Sequence, residues 1–344
     1  MDLGLRALRE GISAAPTSYK ALNSASEAID SQLEGVVSLL LLVDRSVDAR
    51  LLAYVREKLR PQTSKVMVLV RSYGTELPDL TDVYLHNAEL ALILAASSPC
   101  TSDLIELAYG YADAVVTITT HPAVLIPHLK AETIIDDIKD IIPVPDFADA
   151  TMDMTDGLDQ DAQPDAGCCQ GAFRFGRTAV SKKPSSVQPD DPLCVFDAVF
   201  DELADWMADN LEQCLVTFAK AYPFLRRPVA MELMRKVALE NALIGAAFFI
   251  PGADMPLLTL NQMRLALQIA AMCGHPLGTS RIKEMAVLVV GAFGSRTLVR
   301  FLVKKVSMAG FAIRASIAYA ATIAVGLAAY EYYNAIKVDS DSDD

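Results

Sequence analysis

The chain has 344 residues, 52% hydrophobic and 21% charged, with a formal net charge of −13 and a mean hydropathy of +0.29. A chain this long builds two cores, and its hydropathy exceeds what a purely soluble globule needs without reaching that of a many-span transporter. The charge is uneven: residues 1–135 hold 11 basic and 16 acidic side chains, residues 136–192 hold 5 and 12, and Arg226 to Lys337 holds 13 and 5. The most hydrophobic part is thus the most basic part. That pairing fits an anionic lipid surface, and without exposed aromatics or a reading helix beside the basic residues it speaks against a nucleic-acid partner.

The amino terminus, "MDLGLRALREGISAAPTSYK", has no long apolar core and no small-residue cleavage site, so the expected compartment of the first domain is the cytosol. Residues 1–33 read as leading helices. "GVVSLLLLVD" (35–44) is a continuous apolar run ending on an aspartate, the pattern of a strand buried on both faces. "VDARLLAYVREKLRP" then switches to helical spacing and stops at Pro61. "SKVMVLVRSY", "LALILAAS" and "DAVVTITTH" supply further strands, with "CTSDLIELAYGYA" a helix between the last two. Strands alternating with helices predict a parallel α/β sheet of at least four strands over residues 1–142, Rossmann-like or GTPase-like.

Open parallel sheets hold ligands at the carboxyl ends of their strands. Those ends carry Asp44, Arg45 and Ser46; Arg71 and Ser72; Ser97 and Ser98; and Thr119, Thr120 and His121. The set suits a phosphate or acidic group, although strand ends are also simply where the chain returns to water. No glycine precedes a lysine, so a Gly-Lys-Ser/Thr phosphate loop is missing, and so is the three-glycine dinucleotide fingerprint. "LLLLVDRSVD" and "VMVLVRSY" resemble, over about forty residues, the two strands that precede and carry the base-recognition signature of a small GTPase. "VRSY" stands where Asn-Lys-x-Asp is expected, and the resemblance implies a degenerate domain without catalysis.

His86, His121, His128 and His275 have no carboxylate or cysteine at ligand spacing and read as loop histidines, so no metal is expected. Cys100, Cys168, Cys169, Cys194, Cys214 and Cys273 show no C-x-x-C spacing, which speaks against zinc and a disulfide framework. No nucleophile motif and no cofactor signature is present, and the expectation is a protein without catalytic activity.

Residues 143–192 are rich in Asp, Pro, Gly, Ser and Gln and poor in large apolar side chains, which predicts a disordered acidic tether. Next, "CVFDAVFDELADWMADNLEQCLVTFAKAY" reads as one amphipathic helix. It gathers Phe196, Val199, Phe200, Leu203, Trp206, Met207, Leu211, Leu215 and Phe218 on one face. Asp197, Asp201, Asp205 and Asp209 recur on another, as a solvated face or a complement to a basic surface.

In "NALIGAAFFIPGADMPLLTLNQMRLALQIAAMCGHPLG" the first apolar piece stops at Pro251 and Gly252, too short to span a bilayer. Asp254 is placed as an N-cap with Pro256 in the first turn, and the helix that follows has only Asn261, Gln262, Arg264 and Gln268 as polar side chains. Its other faces require cover by protein or lipid. "MAVLVVGAFGSRTLVRFLVKK" (285–305) carries Arg296 and Arg300 mid-helix, which suits a re-entrant or interfacial segment, with Lys304 and Lys305 at a cytosolic surface. "AGFAIRASIAYAATIAVGLAAY" (309–330) has one charge, Arg314, and is long enough to cross a bilayer. A soluble core rich in alanine gives the same pattern. "DSDSDD" ends in an acidic tail over 338–344.

Over about residues 230–335 the chain resembles the YcjF-like helical domain, the family called domain of unknown function 697. Pro251, Gly252, Ala253, Asp254, Pro256, Gln262, Gly274 and the final small-residue helix carry that resemblance. It implies an all-α domain over 193–337, membrane association and a GTPase context, and it brings no established activity. Two functions follow as expectations. One is a non-catalytic, membrane-associated scaffold facing the cytoplasm, whose α/β domain recruits a cytosolic partner. The other is a soluble cytoplasmic oligomer that works with a GTPase and binds a nucleotide or phosphate at the strand ends; an enzyme using the same cluster is a weaker third. Self-association is expected in either case.

Overall fold

The computed structural model describes residues 27, 29, 31, 33–80, 88–131, 140–145, 192–212, 214–247, 255–277 and 310–336. Five parallel strands form one sheet in the order β2-β1-β3-β4-β5: β1 Val37–Asp44, β2 Val66–Tyr73, β3 Leu90–Ala95, β4 Val115–Thr119 and β5 Ile141–Pro143. The chain leaves β1 through helix α1 (Ala49–Lys58) to β2 on one side, then crosses to β3 on the other. It continues outward through α2 (Thr101–Ala108) and α3 (Pro122–Ala131). Right-handed crossovers built in opposite directions from β1 put α1 on one face and α2 and α3 on the other. The four predicted strands are present. The fifth is three residues long and ends on Pro143, too little for a periodic signal, and Val144 beyond it is also buried.

Both faces of the sheet are covered, which explains the unbroken apolar runs of its strands. Leu40, Leu42, Ala91, Ile93 and Ile141 pack under α2 and α3 with Leu104, Ile105, Leu125 and Leu129. Leu39, Leu41, Val43, Leu92, Leu94, Ile118 and Ile142 belong to a second core with Leu51 and Val55 of α1. That core does not stop at the α/β unit. It runs on into α4 (Pro192–Asn210) and α5 (Leu215–Ala221) through Phe196, Val199, Phe200, Leu203, Met207 and Phe218. Burying each such side chain contributes about 2 kcal/mol.

Polar contacts fix this seam. Trp206 donates Nε1–H to Asp140 Oδ1 at 2.9 Å, just before β5. The Gln62 amide donates to the Ala221 carbonyl at 2.9 Å, and Lys58 Nζ lies 3.0 Å from Asp197 Oδ1. Tyr54 OH donates to the same carboxylate, and its ring meets Phe196 and Phe200 at 5.4 and 5.3 Å. The Tyr54 hydrogen bond, with that of Lys58, holds the Asp197 carboxyl below its ordinary range against a smaller effect of burial.

The single amphipathic helix expected over 194–222 is two helices. α4 ends at Asn210, whose side-chain amide donates to the Trp206 carbonyl at 2.8 Å, while the Leu211 amide still reaches the Met207 carbonyl at 3.0 Å. The predicted apolar face is buried throughout, including Leu211 and Leu215 on either side of the break.

A 3₁₀ turn, Pro223–Leu225, leads into α6 (Arg226–Ala247), which packs with α7 (Met255–Met272) and α8 (Gly310–Ala335). Their apposition is close. A Cβ at Gly326 of α8 would run into the Met234 side chain and lie 3.3 Å from Leu265 Cδ2, and one at Gly245 would lie 3.1 Å from Ala318 Cβ. The nearly all-apolar surface of α7 is answered by protein: Leu265, Ala266, Leu267, Ile269, Ala270 and Met272 are fully buried.

Candidate functional site

The strand order reverses between β1 and β3, the topological switch point at which open α/β sheets bind ligands. The loop after β1 and the loop after β3 meet there on Asp44, which is 1% exposed. Its Oδ1 accepts from the Ser46 amide at 2.8 Å, the Ser46 hydroxyl at 2.6 Å and the Ser98 hydroxyl at 2.8 Å. Its Oδ2 accepts from the Ala96 and Ser98 amides, each at 3.0 Å. Burial disfavours the charge, but the bonds from Ser46 and Ser98 outweigh it, and the carboxyl titrates below its ordinary value. Ser46 Oγ also accepts from the Ser97 amide at 3.2 Å and lies 3.0 Å from Ser97 Oγ, which ties the two loops again.

Five donors converging on one anion are the equipment of a phosphate site. Here the anion is the protein's own.

Beside it, Arg45, Arg71 and Ser72 line a cleft of about 340 Å³ with Gly74, Thr75, Glu76, Leu77, Pro78 and Asp79. Arg71 Nη1 donates to the Val70 carbonyl at 3.1 Å. The structure therefore brings Arg45, Arg71 and Ser72 together, next to Asp44 and Ser46. The 74–79 loop that completes the cleft has no sequence signal beyond Gly74 and Pro78.

Thr119, Thr120 and His121 are elsewhere. They end and follow β4, two strands from β1 and three from β2, which at about 4.8 Å per strand separates them laterally from Arg45 by roughly 10 Å and from Arg71 by roughly 14 Å. Their work is local. His121 Nδ1 and Thr120 Oγ1 are 2.9 Å apart, and the Thr119 hydroxyl accepts the His121 amide at 3.1 Å. The His121 carbonyl accepts the Val124 and Leu125 amides, so these residues start α3, with Pro122 at its first position.

In the helical half, Gln262 is 1% exposed. Its Nε2 donates to Thr322 Oγ1 at 3.1 Å, while Asn241 donates to the same oxygen at 2.9 Å and Asn261 donates to Asn241 Oδ1 at 2.9 Å. The Thr322 hydroxyl donates in turn to the Ala318 carbonyl at 2.8 Å. One hydroxyl therefore joins α6, α7 and α8. Asn241, which follows Glu240, and Thr322, alone in an apolar run, escaped sequence analysis.

Gly274 has φ 88°, with its amide bonded to the Ala271 carbonyl and the next amide to Ala270, both at 3.0 Å. That is the Schellman ending of α7, which a residue with a side chain enters only under strain. His275 lies in the loop after α7, as expected, but is buried at 3% exposure, and its Nε2 meets the Tyr333 carbonyl at 2.9 Å. Pro256 lies in the first turn of α7. Arg314 lies half-buried on α8, beside Gly245.

Cys100 and Cys273 are buried and Cys214 half-buried, all three free, and burial pushes the thiols above their ordinary range. Pro251, Gly252, Ala253, Asp254, Arg296, Arg300, Lys304, Lys305, His86, Cys168, Cys169, the acidic tail and residues 146–191 of the tether expected over 143–192 lie outside the described residues, while at the tether's ends Pro143 belongs to β5, Val144 is buried and Pro192 opens α4. Comparison with protein-family models, with curated proteins and with solved structures finds no match to this chain.

Proposed function

We propose that this protein is a non-catalytic, membrane-associated scaffold, whose α/β unit presents a surface to a cytosolic partner and whose YcjF-like helical half associates with a bilayer. The observation that carries the non-catalytic part is the Asp44 carboxylate, which consumes the amides of Ser46, Ala96 and Ser98 where a ligand's anion would sit. A phosphate entering there would face a buried charge of its own sign. The membrane part is supported by α8, whose Ala312–Ala335 stretch is long and apolar enough to cross a bilayer at a mean hydropathy of 1.6.

A second reading is favoured by the cleft around Arg45, Arg71 and Ser72: a soluble, oligomeric partner of a GTPase that binds a nucleotide or phosphate there. Two measurements separate the readings. Cell fractionation with a carbonate wash leaves the scaffold in the pellet, and recovery of all the protein in the soluble fraction ends the membrane reading. Thermal-shift titration with GTP, GDP and ATP gives no stabilisation for the scaffold, whereas a saturable rise abolished by Arg71→Ala establishes the sensor.

A further inference from the structure

We propose that the outer face of α8 is the docking surface for the chain's own residues 285–305, which lie antiparallel along it and complete a four-helix bundle. This does not rest on the membrane reading above.

Side-chain contacts fix the directions of the described helices. Gln262 and Leu265 of α7, and His275 just beyond it, meet Thr322, Gly326 and Tyr333 of α8 in the same order, so α7 and α8 run parallel. Asn241 of α6 meets Thr322 and Met234 meets Gly326, so α6 runs against both. The chain therefore leaves α7 at the Tyr333 end of α8 and has to begin α8 at the other. From the level of Tyr333 back to Gly310 is about 35 Å at 1.5 Å per residue, and residues 278–309 make that return. Parallel neighbours joined in sequence require a crossover of this kind.

α8 has a face in need of cover. A helix on the surface of a protein in water turns a polar face outward. On α8, Ser316, Ala320, Ala324 and Ala328 recur every fourth residue and are all exposed, with Ile317 and Leu327 half-covered beside them. The one hydroxyl in that row, on Ser316, donates to the Ala312 carbonyl at 2.9 Å and so asks nothing of water. Side chains this small let another helix approach closely.

Residues 285–305 fit the face in length and in pattern. As a helix they extend about 32 Å, close to the distance to be crossed. Arg296, Arg300 and Lys304 also recur every fourth residue, with Lys305 beside the last, and Ser295 and Thr297 are the only other polar side chains. That spacing gives one basic stripe on an otherwise apolar helix. Residues 306–309 have the length that joins antiparallel helices. Against α8 the apolar side of the segment meets the apolar face, and the basic stripe stays in water. A bilayer around the segment would bury Arg296 and Arg300 near its middle, at a cost that rises toward the centre of the lipid. A second copy seated on α8 would leave the apolar side of 285–305 still uncovered. One occupant covers both surfaces.

The test uses the full chain as a monomer without lipid, with maleimide labelling of single introduced cysteines counted beyond the wild type's own. Ala320→Cys is expected to label at least about tenfold more slowly than Glu57→Cys, an exposed position on α1. A short bismaleimide is expected to join Ala320→Cys to Ser295→Cys within one chain, since the two lie equally far from the 306–309 connection. It is not expected to join Ala320→Cys to Met285→Cys, about 15 Å further along. Equal labelling rates overturn the proposal. Protection that appears only with dimerisation, or only with vesicles of phosphatidylcholine and phosphatidylglycerol, gives the face to a second copy or to a bilayer and overturns it too. Protection in the monomer without the cross-link to Ser295→Cys assigns the cover to another segment and overturns the pairing.

Discussion

Ser98 holds Asp44 with two hydrogen bonds, its amide to Oδ2 at 3.0 Å and its hydroxyl to Oδ1 at 2.8 Å, so the loop after β3 is tied across the sheet edge to the end of β1. Asp44→Asn puts an amide group where five donors converge and leaves buried amides without an acceptor. The expected loss is about 2–4 kcal/mol, measured by urea unfolding with the slope unchanged.

The same carboxyl sets a pH dependence. Its folded value lies below the ordinary 3.8, so it binds fewer protons in the folded state than in the unfolded one near that pH. Its contribution is complete above that value and is lost as pH falls through the lower folded value. The acid limb of a stability profile flattens in Asp44→Asn, and a wild-type limb that survives the substitution unchanged means other carboxylates produce it.

Trp206 is the chain's only tryptophan and bonds Asp140 across the seam between α4 and the sheet. Because apolar side chains from both halves form one core there, its fluorescence and the far-UV circular dichroism are expected to change together on heating. Asp140→Ala leaves the indole N–H without its partner at about 1–2 kcal/mol. A tryptophan transition well below the helical one would show that the halves unfold separately.

Gly274→Ala places a side chain at φ 88° and is expected to cost about 1–2 kcal/mol, with Gly274→Asn losing less. The melting temperature reads both. Equal losses would locate the cost in packing and not in the backbone.

Gly326→Val is expected to lose about 1–3 kcal/mol by forcing α8 off Met234. In a double-mutant cycle Met234→Ala recovers part of that loss, because truncating one neighbour makes room for the other. Strict additivity would place the clash elsewhere.

The strands were legible because a sheet covered on both faces needs unbroken apolar runs, and "SLLLLVD" and "LALILA" admit few other readings. Gly274 stood out in the sequence only through the family resemblance, and its role in ending α7 at φ 88° came from the structure. Strand β5 was not legible: three residues carry no period. Nor was α3, whose Pro127 masks its helical spacing.

What the sequence by itself determined was the α/β-then-helical order, the buried face of α4 and the polar residues at the strand ends, because each depends on the periodicity of neighbouring residues. Only the tertiary structure decided that Asp44 is bonded by Ala96 and Ser98 of the loop after β3 while Thr120 and His121 stand apart from it, because strand order is set by pairing between distant segments. The same holds for Thr322 joining Asn241 to Gln262, and for α4 closing the sheet from across the chain. A hydrogen bond between residues 60 or 81 positions apart leaves no local pattern to read.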